Sequence, residues 1–161
     1  QLPRFTLTIE IESISLRQIS EHGGKIMIGV LITTHGNLGN ELIKAAELIR
    51  GSIKGIVHIA VDQTKGVEDI KKEMSTALKK LEQGQGVLIL TDLFGGTPSN
   101  LALSFLKTGK VEVITGVNLP MLLKLPDIRE GMTLEDFAHF IKDYGIKNIS
   151  LASDILSKKV G

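Results

Sequence analysis

The sequence lacks cysteine and tryptophan, and it has one tyrosine among its 161 residues. Without cysteine the chain forms no disulfide and offers no thiolate to zinc, to an iron–sulfur cluster or to a nucleophilic mechanism. Aromatic residues make up 4% of the sequence, which disfavours the stacking platforms that bind single-stranded nucleic acid. No apolar run approaches the roughly 20 residues that cross a bilayer, and no signal peptide is visible. We therefore expect a cytoplasmic protein.

Charge and hydrophobicity are balanced. The 19 basic and 18 acidic residues leave a formal charge of +1, and 42% of the residues are hydrophobic. That apolar content suffices for the core of a single globular domain. Because no strong basic excess exists, we expect neither nucleic acid nor an anionic membrane surface as a direct partner.

The first 26 residues differ from the rest of the chain. Side chains alternate between apolar and polar from Phe5 to Leu16, as in a strand, and a polar cluster with a Gly-Gly pair precedes Met27. Such a pair before an internal methionine is typical of a translated ribosome-binding site. We expect residues 1–26 to be an N-terminal extension outside the native domain, and residues 27–161 to be the functional domain.

From Met27 onward, short apolar strands alternate with amphipathic helices. The strands are predicted over 26–32, 55–61, 87–90, 111–117 and 146–151, and the helices over 38–50, 67–81, 98–106 and 133–144. Four strands separated by three helices predict a three-layer, doubly wound α/β fold with a mostly parallel sheet. In the common strand order 2-1-3-4, the order reverses between the first and third strands, and ligands bind at that switch point.

Two side chains that suit group-transfer chemistry fall at this switch point. The first strand ends at His35 and the third ends at Asp92. A carboxylate beside an imidazole fixes one ring nitrogen as a donor and leaves the other free as a nucleophile or base. Glycine-containing loops follow both residues and lead into helix starts, where backbone N–H groups attract anions. The combination favours a phosphohistidine.

Other chemistries find less support. The sequence has no P-loop, no Gly-x-Gly-x-x-Gly after the first strand and no Gly-x-Ser-x-Gly elbow. His58 is predicted to lie in an apolar strand, His139 on a polar helix face and His22 in the extension, and none has metal-ligand spacing. We therefore expect no metal and no cofactor. His35 as an ordinary turn residue and Asp92 as a cap stay open as alternatives.

Three motifs carry a resemblance to a known family. They are IGVLITTHG at 28–36, GVLILTDLFGGTPSN at 86–100 and GVNLPML at 116–122. From Met27 on, the chain resembles the mannose/fructose/sorbose-family enzyme IIA of the bacterial phosphoenolpyruvate-dependent sugar phosphotransferase system. The resemblance covers nearly all of residues 27–161.

This resemblance implies a phosphocarrier. His35 would be the phosphorylated residue and Asp92 the carboxylate that bonds its other ring nitrogen. The phosphate pocket would comprise Gly36, Gly95, Gly96, Thr97, Ser99 and Asn100. The phosphoryl group would come from HPr and leave to the cognate enzyme IIB, with contact to the membrane only through the permease components. The resemblance also implies a homodimer in which the fifth strand, over 146–151, pairs antiparallel with the partner's sheet.

Two further hypotheses remain open. The related phosphotransfer subunit of dihydroxyacetone kinase also carries a phosphohistidine, but its motif lacks the FGGTPSN pattern found here at 94–100. A regulatory enzyme-IIA-like module without catalytic activity is the third hypothesis. The chain has no appended DNA-binding or ATPase segment, which weighs against that third interpretation.

Overall fold

Four parallel strands form the centre of the computed structural model, which describes residues 27–62, 64–128 and 131–157. The strands are β1 (Gly29–His35), β2 (Ile56–Val61), β3 (Val87–Thr91) and β4 (Val111–Thr115). They form one sheet in the order β2-β1-β3-β4, with every neighbouring pair parallel. The predicted order is therefore confirmed, and it makes β1 and β3 neighbours at the centre of the sheet.

Helices cover both faces of this sheet. They are α1 (Leu38–Arg50), α2 (Val67–Leu81), α3 (Thr97–Leu103), α4 (Leu119–Ile128), α5 (Leu134–Lys147) and α6 (Ala152–Ser157). Side chains alternate between faces along a strand, so Val30 and Ile32 pack under α1, α4 and α5 while Leu31 packs under α2 and α3. Two buried apolar layers result, and the three-layer α/β fold is confirmed.

Helix α4 was missed in the sequence analysis, which predicted no helix between β4 and residue 133. Its start carries ordinary helix signals: the Asn118 side chain accepts a hydrogen bond from the N–H of Met121 at 3.2 Å, and Pro120 lies in the first turn. The apolar residues Leu122 and Leu125 are then fully buried against the sheet. The predicted start of α5 is confirmed, because Thr133 accepts a hydrogen bond from the N–H of Asp136.

The strand predicted over 146–151 is wrong for the single chain. Gly145 does not end the preceding helix, which continues to Lys147, and residues 149–151 belong to no strand. Gly145 has a packing role instead, because an added Cβ would lie 2.2 Å from the Met121 side chain of α4. A strand that pairs only with a second subunit has no hydrogen-bonding partner in one chain. The exchanged fifth strand therefore stays a prediction.

The N-terminal predictions lie outside the described residues. They are the strand from Phe5 to Leu16 and the domain boundary at Met27. Within the described part of the chain, no helix combines the length and hydrophobicity needed to span a bilayer.

Candidate functional site

His35 and Asp92 meet where β1 and β3 end. The two strands are parallel and pair in register with Thr33 opposite Thr91, so their carboxyl ends lie side by side at one edge of the sheet. Nδ1 of His35 lies 2.8 Å from Oδ2 of Asp92. The strand order alone therefore brings together the two residues that the sequence analysis placed in one crevice.

Three N–H groups hold the Asp92 carboxylate. Oδ2 accepts from the His35 ring and from the His35 backbone N–H at 2.9 Å, and Oδ1 accepts from the backbone N–H of Leu93 at 2.9 Å. Burial favours a higher pKa for Asp92, whose side chain is 10% exposed, but these hydrogen bonds outweigh it and the pKa falls below its ordinary value. The carboxylate is therefore ionised and fixed in place at neutral pH.

The ionised carboxylate determines where the proton of the His35 ring lies. A carboxylate only accepts hydrogen bonds, so Nδ1 carries the proton and donates it to Asp92. In the neutral form of the ring, the other nitrogen, Nε2, then has a free lone pair, and no described residue makes a hydrogen bond to it. The His35 side chain is 49% exposed. A neutral, accessible and oriented imidazole nitrogen is a nucleophile.

Gly96 lies directly against this ring. A Cβ added to Gly96 would come within 2.7 Å of Cε1 and 3.3 Å of Nε2 of His35. Gly95, just before it, has a φ of +86°, which a residue with a side chain adopts only under strain. Two adjacent glycines thus let the backbone between β3 and α3 approach the free nitrogen.

Five of the six predicted pocket residues lie in the loop before α3 or in its first turn. Gly96 lies against the ring, with Gly95 and Thr97 on either side of it in the chain. The first hydrogen bond of α3 runs from the N–H of Asn100 to the Gly96 carbonyl at 3.0 Å. Ser99 is fully buried and donates its hydroxyl to the same carbonyl at 3.0 Å. Ser99 and the Asn100 backbone therefore support the loop from behind.

Gly36 differs from the other predicted pocket residues. Its N–H donates to the Val61 carbonyl at 2.9 Å, which ties the turn after His35 to the end of β2. That N–H is therefore engaged within the protein. Gly36 shapes the turn, and its φ of +52° suits glycine.

Replacing Gly96 with alanine tests the close approach. Gly96 has an extended backbone, with φ −83° and ψ 170°, so alanine introduces no backbone strain. Its Cβ must displace the His35 ring. If His35 is the phosphorylated residue that the sequence analysis predicts, its phosphorylation should slow by about tenfold or more. The rate is followed by intact-mass spectrometry.

A matched control is available at Gly66. This glycine has the same place before α2 and a similar backbone, φ −66° and ψ 147°, but its nearest Cβ contact is an ordinary 3.5 Å. Gly66→Ala should leave the rate unchanged. Equal rates for Gly96→Ala and the wild type would contradict the proposed contact with the ring.

The structure also shows an apolar rim that the sequence analysis did not assign. Leu93 and Phe94 follow Asp92 directly and are 51% and 73% exposed. The sequence held a signal for this rim, because two large apolar residues directly follow the carboxylate at the predicted end of a strand. Exposed apolar groups beside a reactive group are typical of a protein-docking surface.

The other two histidines of the described residues lie away from this site, and His22 falls outside the described residues. His58 lies on β2 and is half-buried, and His139 lies exposed on α5. Among the residues that the structure describes, no group of three or more histidine or acidic side chains is placed to hold a metal ion.

Comparisons with known proteins agree with one another. Residues 29–142 match the family model EIIA-man, described as the PTS system fructose IIA component. The fructose-specific EIIA component of the PTS of Bacillus subtilis (strain 168) is 31% identical over 133 residues, which cover 82% of this chain and 91% of that protein.

Solved structures show the same similarity. The phosphotransferase system component EIIA from Streptococcus agalactiae superposes with a TM-score of 0.71 at 25% identity, covering 80% of this chain and 99% of that one. The PTS IIA protein associated with the fucose utilization operon of Streptococcus pneumoniae gives a TM-score of 0.71 at 25% identity, covering 83% and 98%.

Proposed function

Because this chain belongs to the EIIA-man family of sugar phosphotransferase system components, we propose that His35 is its phosphoryl carrier. In this proposal His35 accepts a phosphoryl group from HPr and passes it to the cognate enzyme IIB during sugar uptake. The step takes place in the cytoplasm and reaches the membrane only through the permease components. The protein acts as a phosphotransferase without a cofactor.

One observation carries the proposal: the 2.8 Å contact between Nδ1 of His35 and Oδ2 of Asp92. It leaves Nε2 as the attacking atom. A bond forms between Nε2 and phosphorus while the bond between phosphorus and the donor's histidine nitrogen breaks. The proton stays on Nδ1, and the ring becomes cationic. Asp92 stabilises that charge, and the reverse sequence delivers the group to enzyme IIB.

The loop at 95–97 supports this chemistry. Its backbone lies against the His35 ring, and backbone N–H groups that precede the first helical hydrogen bond are donors without a helical partner. We assign the N–H groups of Gly96 and Thr97 to the transferred phosphoryl oxygens. Dipoles of this kind bind the group less tightly than a lysine or arginine, which suits a carrier that must release it.

The apolar rim formed by Leu93 and Phe94 supports the proposal that the partners are proteins. We assign the exposed Leu93 and Phe94 to the contact with HPr and enzyme IIB. Truncating an aromatic anchor commonly costs an interface about 2 kcal/mol. Phe94→Ser should therefore raise the KM for phosphorylated HPr by about tenfold or more while leaving the final extent of phosphorylation unchanged.

A matched control for Phe94 is Leu48. It is an apolar residue, 89% exposed, near the far end of α1 from His35. Leu48→Ser should leave the KM for HPr as it is. If Phe94→Ser has the wild-type KM, the partners do not dock over this rim.

The decisive test of the function uses two stages. The protein is incubated with phosphoenolpyruvate, enzyme I and HPr, and its intact mass should increase by one acid-labile phosphoryl group. Purified enzyme IIB of the mannose/fructose/sorbose type is then added, and the group should leave this protein and appear on enzyme IIB. Failure in the first stage would refute the carrier role, and discharge only to a dihydroxyacetone kinase subunit would indicate the related kinase.

We also propose that the protein is a homodimer. Support comes from the exposed apolar side chains of Ile146, in the last turn of α5, and of Ile149 and Leu151, which follow that helix. Pairing of residues 146–151 with the sheet of a second subunit would bury them. Light scattering that gives the mass of a single chain would contradict this arrangement.

A further inference from the structure

A chain of hydrogen bonds runs behind the turn that carries His35. The hydroxyl of Thr34 accepts the backbone N–H of Gly39 at 2.9 Å, and the same oxygen lies 3.3 Å from Nε2 of His58. Thr34 is fully buried, and His58 is paired with β1 at Ile32 on the neighbouring strand. The chain thus connects β2, the end of β1 and the first turn of α1.

Thr34 takes the place of a missing helix cap. Asn37 precedes α1 but makes no side-chain capping bond, and its amide donates to Glu41 instead. The N–H of Gly39, in the first turn, is satisfied by the Thr34 hydroxyl. The Thr34 side chain therefore links the end of β1 to the first turn of α1 and closes the short turn between them.

His58 completes the bonding of that hydroxyl. A hydroxyl has one proton to donate, and because the oxygen already accepts from Gly39, the proton needs an acceptor of its own. Nε2 of a neutral His58 ring is that acceptor. The ring also supports the helix sterically, since a Cβ on Gly39 would come within 2.5 Å of Cδ2 of His58.

The surroundings of His58 keep its ring neutral. Burial lowers the pKa of His58 below its ordinary value, and Glu73 on α2 acts weakly in the opposite direction. Glu73 itself forms an ion pair with Lys65 at 2.9 Å. On β1 and α1, the uncharged Thr34 and Gly39 lie against the ring, and the uncharged Ile32 is the register partner of His58. The ring is therefore neutral near neutral pH, and the tautomer with its proton on Nδ1 leaves the Nε2 lone pair for the Thr34 hydroxyl.

We propose that His58 is a positioning residue for phosphoryl transfer, acting through the Thr34 hydroxyl to hold the His35 turn against Asp92. The link is short, because Thr34 precedes His35 directly and the backbone N–H of His35 donates to Asp92 at 2.9 Å. Movement of the turn would move both hydrogen bonds that orient the reactive ring. This inference rests on the proposed carrier function.

Two matched pairs of variants test the proposal. His58→Gln keeps an acceptor near the position of Nε2, whereas His58→Leu removes it. Thr34→Ser keeps the hydroxyl, whereas Thr34→Val removes it. We expect the maximal rate of His35 phosphorylation to fall by about tenfold in the Leu and Val variants, with the KM for HPr unchanged. The Gln and Ser variants should stay close to the wild type.

A second measurement does not depend on phosphoryl transfer. Hydrogen exchange of the Gly39 N–H, followed by NMR in the unphosphorylated protein, should be slow in the wild type and in the Gln and Ser variants. It should be faster in the Leu and Val variants. The second pair, at Thr34, keeps the test informative if His58→Leu does not fold.

The outcomes separate the two proposals. If the wild type is phosphorylated and His58→Leu matches its rate, the positioning role is overturned and the carrier function stands. If His58→Gln is as slow as His58→Leu, a hydrogen-bond acceptor at the place of Nε2 is not what matters, and positioning through the Thr34 hydroxyl is overturned. A wild type that takes up no phosphoryl group, despite a slow Gly39 exchange, overturns the carrier function itself.

Discussion

His35→Ala should take up no phosphoryl group from HPr. Alanine has no lone pair to attack phosphorus, and the structure places no other histidine of the described residues beside a carboxylate in this way. His58 has its Nε2 engaged with Thr34, and His139 lies exposed on α5. The expected effect is a complete loss of the mass adduct under conditions in which the wild type is fully converted.

The fold of this variant should be retained. The His35 side chain is half-exposed, and its backbone N–H, which alanine keeps, still donates to Asp92. We expect a thermal midpoint within a few degrees of the wild type. His139→Ala is the matched control and should accept the phosphoryl group fully. An adduct that persists in His35→Ala would show that the carrier residue has been assigned wrongly.

Asp92→Asn should slow phosphoryl transfer by about a hundredfold or more. Both carboxylate oxygens accept N–H bonds, Oδ2 from the ring and backbone of His35 and Oδ1 from Leu93. An amide has one accepting oxygen, so its NH₂ group must face an N–H donor in either orientation. The repulsion releases the His35 ring from the orientation that exposes Nε2. Asp92→Ala, which removes all three bonds, should be at least as slow.

The rate and the stability of the Asp92 variants answer different questions. The low pKa of Asp92 means that its ionised form stabilises the native protein above its ordinary pKa of about 3.9, and that this contribution is lost as the pH falls through the native value. Wild type and Asp92→Asn should therefore become more alike in stability on acidification. At neutral pH a variant that remains folded but transfers at the wild-type rate would refute the role assigned to Asp92.

Much of the site followed from local sequence signals and one rule of topology. Apolar runs that end at His35 and Asp92 predicted two strand ends, and the strand order 2-1-3-4 made those ends neighbours. The spacing of charged residues along α1 and of apolar residues along α2 predicted the extents of these helices. These features depend on a few adjacent residues, so a sequence pattern shows them directly.

Other features depend on contacts between distant segments. The sequence pattern indicates that Gly145 ends a helix, but Gly145 lies inside α5. Glycine suits this position because Met121 of α4 occupies the space that a side chain would need. The partnership of Thr34 with His58 crosses from one strand to the next, and no local pattern marks it. Gly36 was assigned to the pocket by the family resemblance, whereas its N–H donates to the Val61 carbonyl at the end of β2.

The position of the phosphoryl group on the imidazole ring tests the account most directly. The wild-type protein, labelled with ¹⁵N at histidine, is phosphorylated through HPr and its ring nitrogens are followed by NMR with coupling to ³¹P. The 2.8 Å bond between Nδ1 and Asp92 predicts that phosphorus is coupled to Nε2 of His35, with the proton kept on Nδ1. Coupling to Nδ1, or to the ring of another histidine, would contradict it.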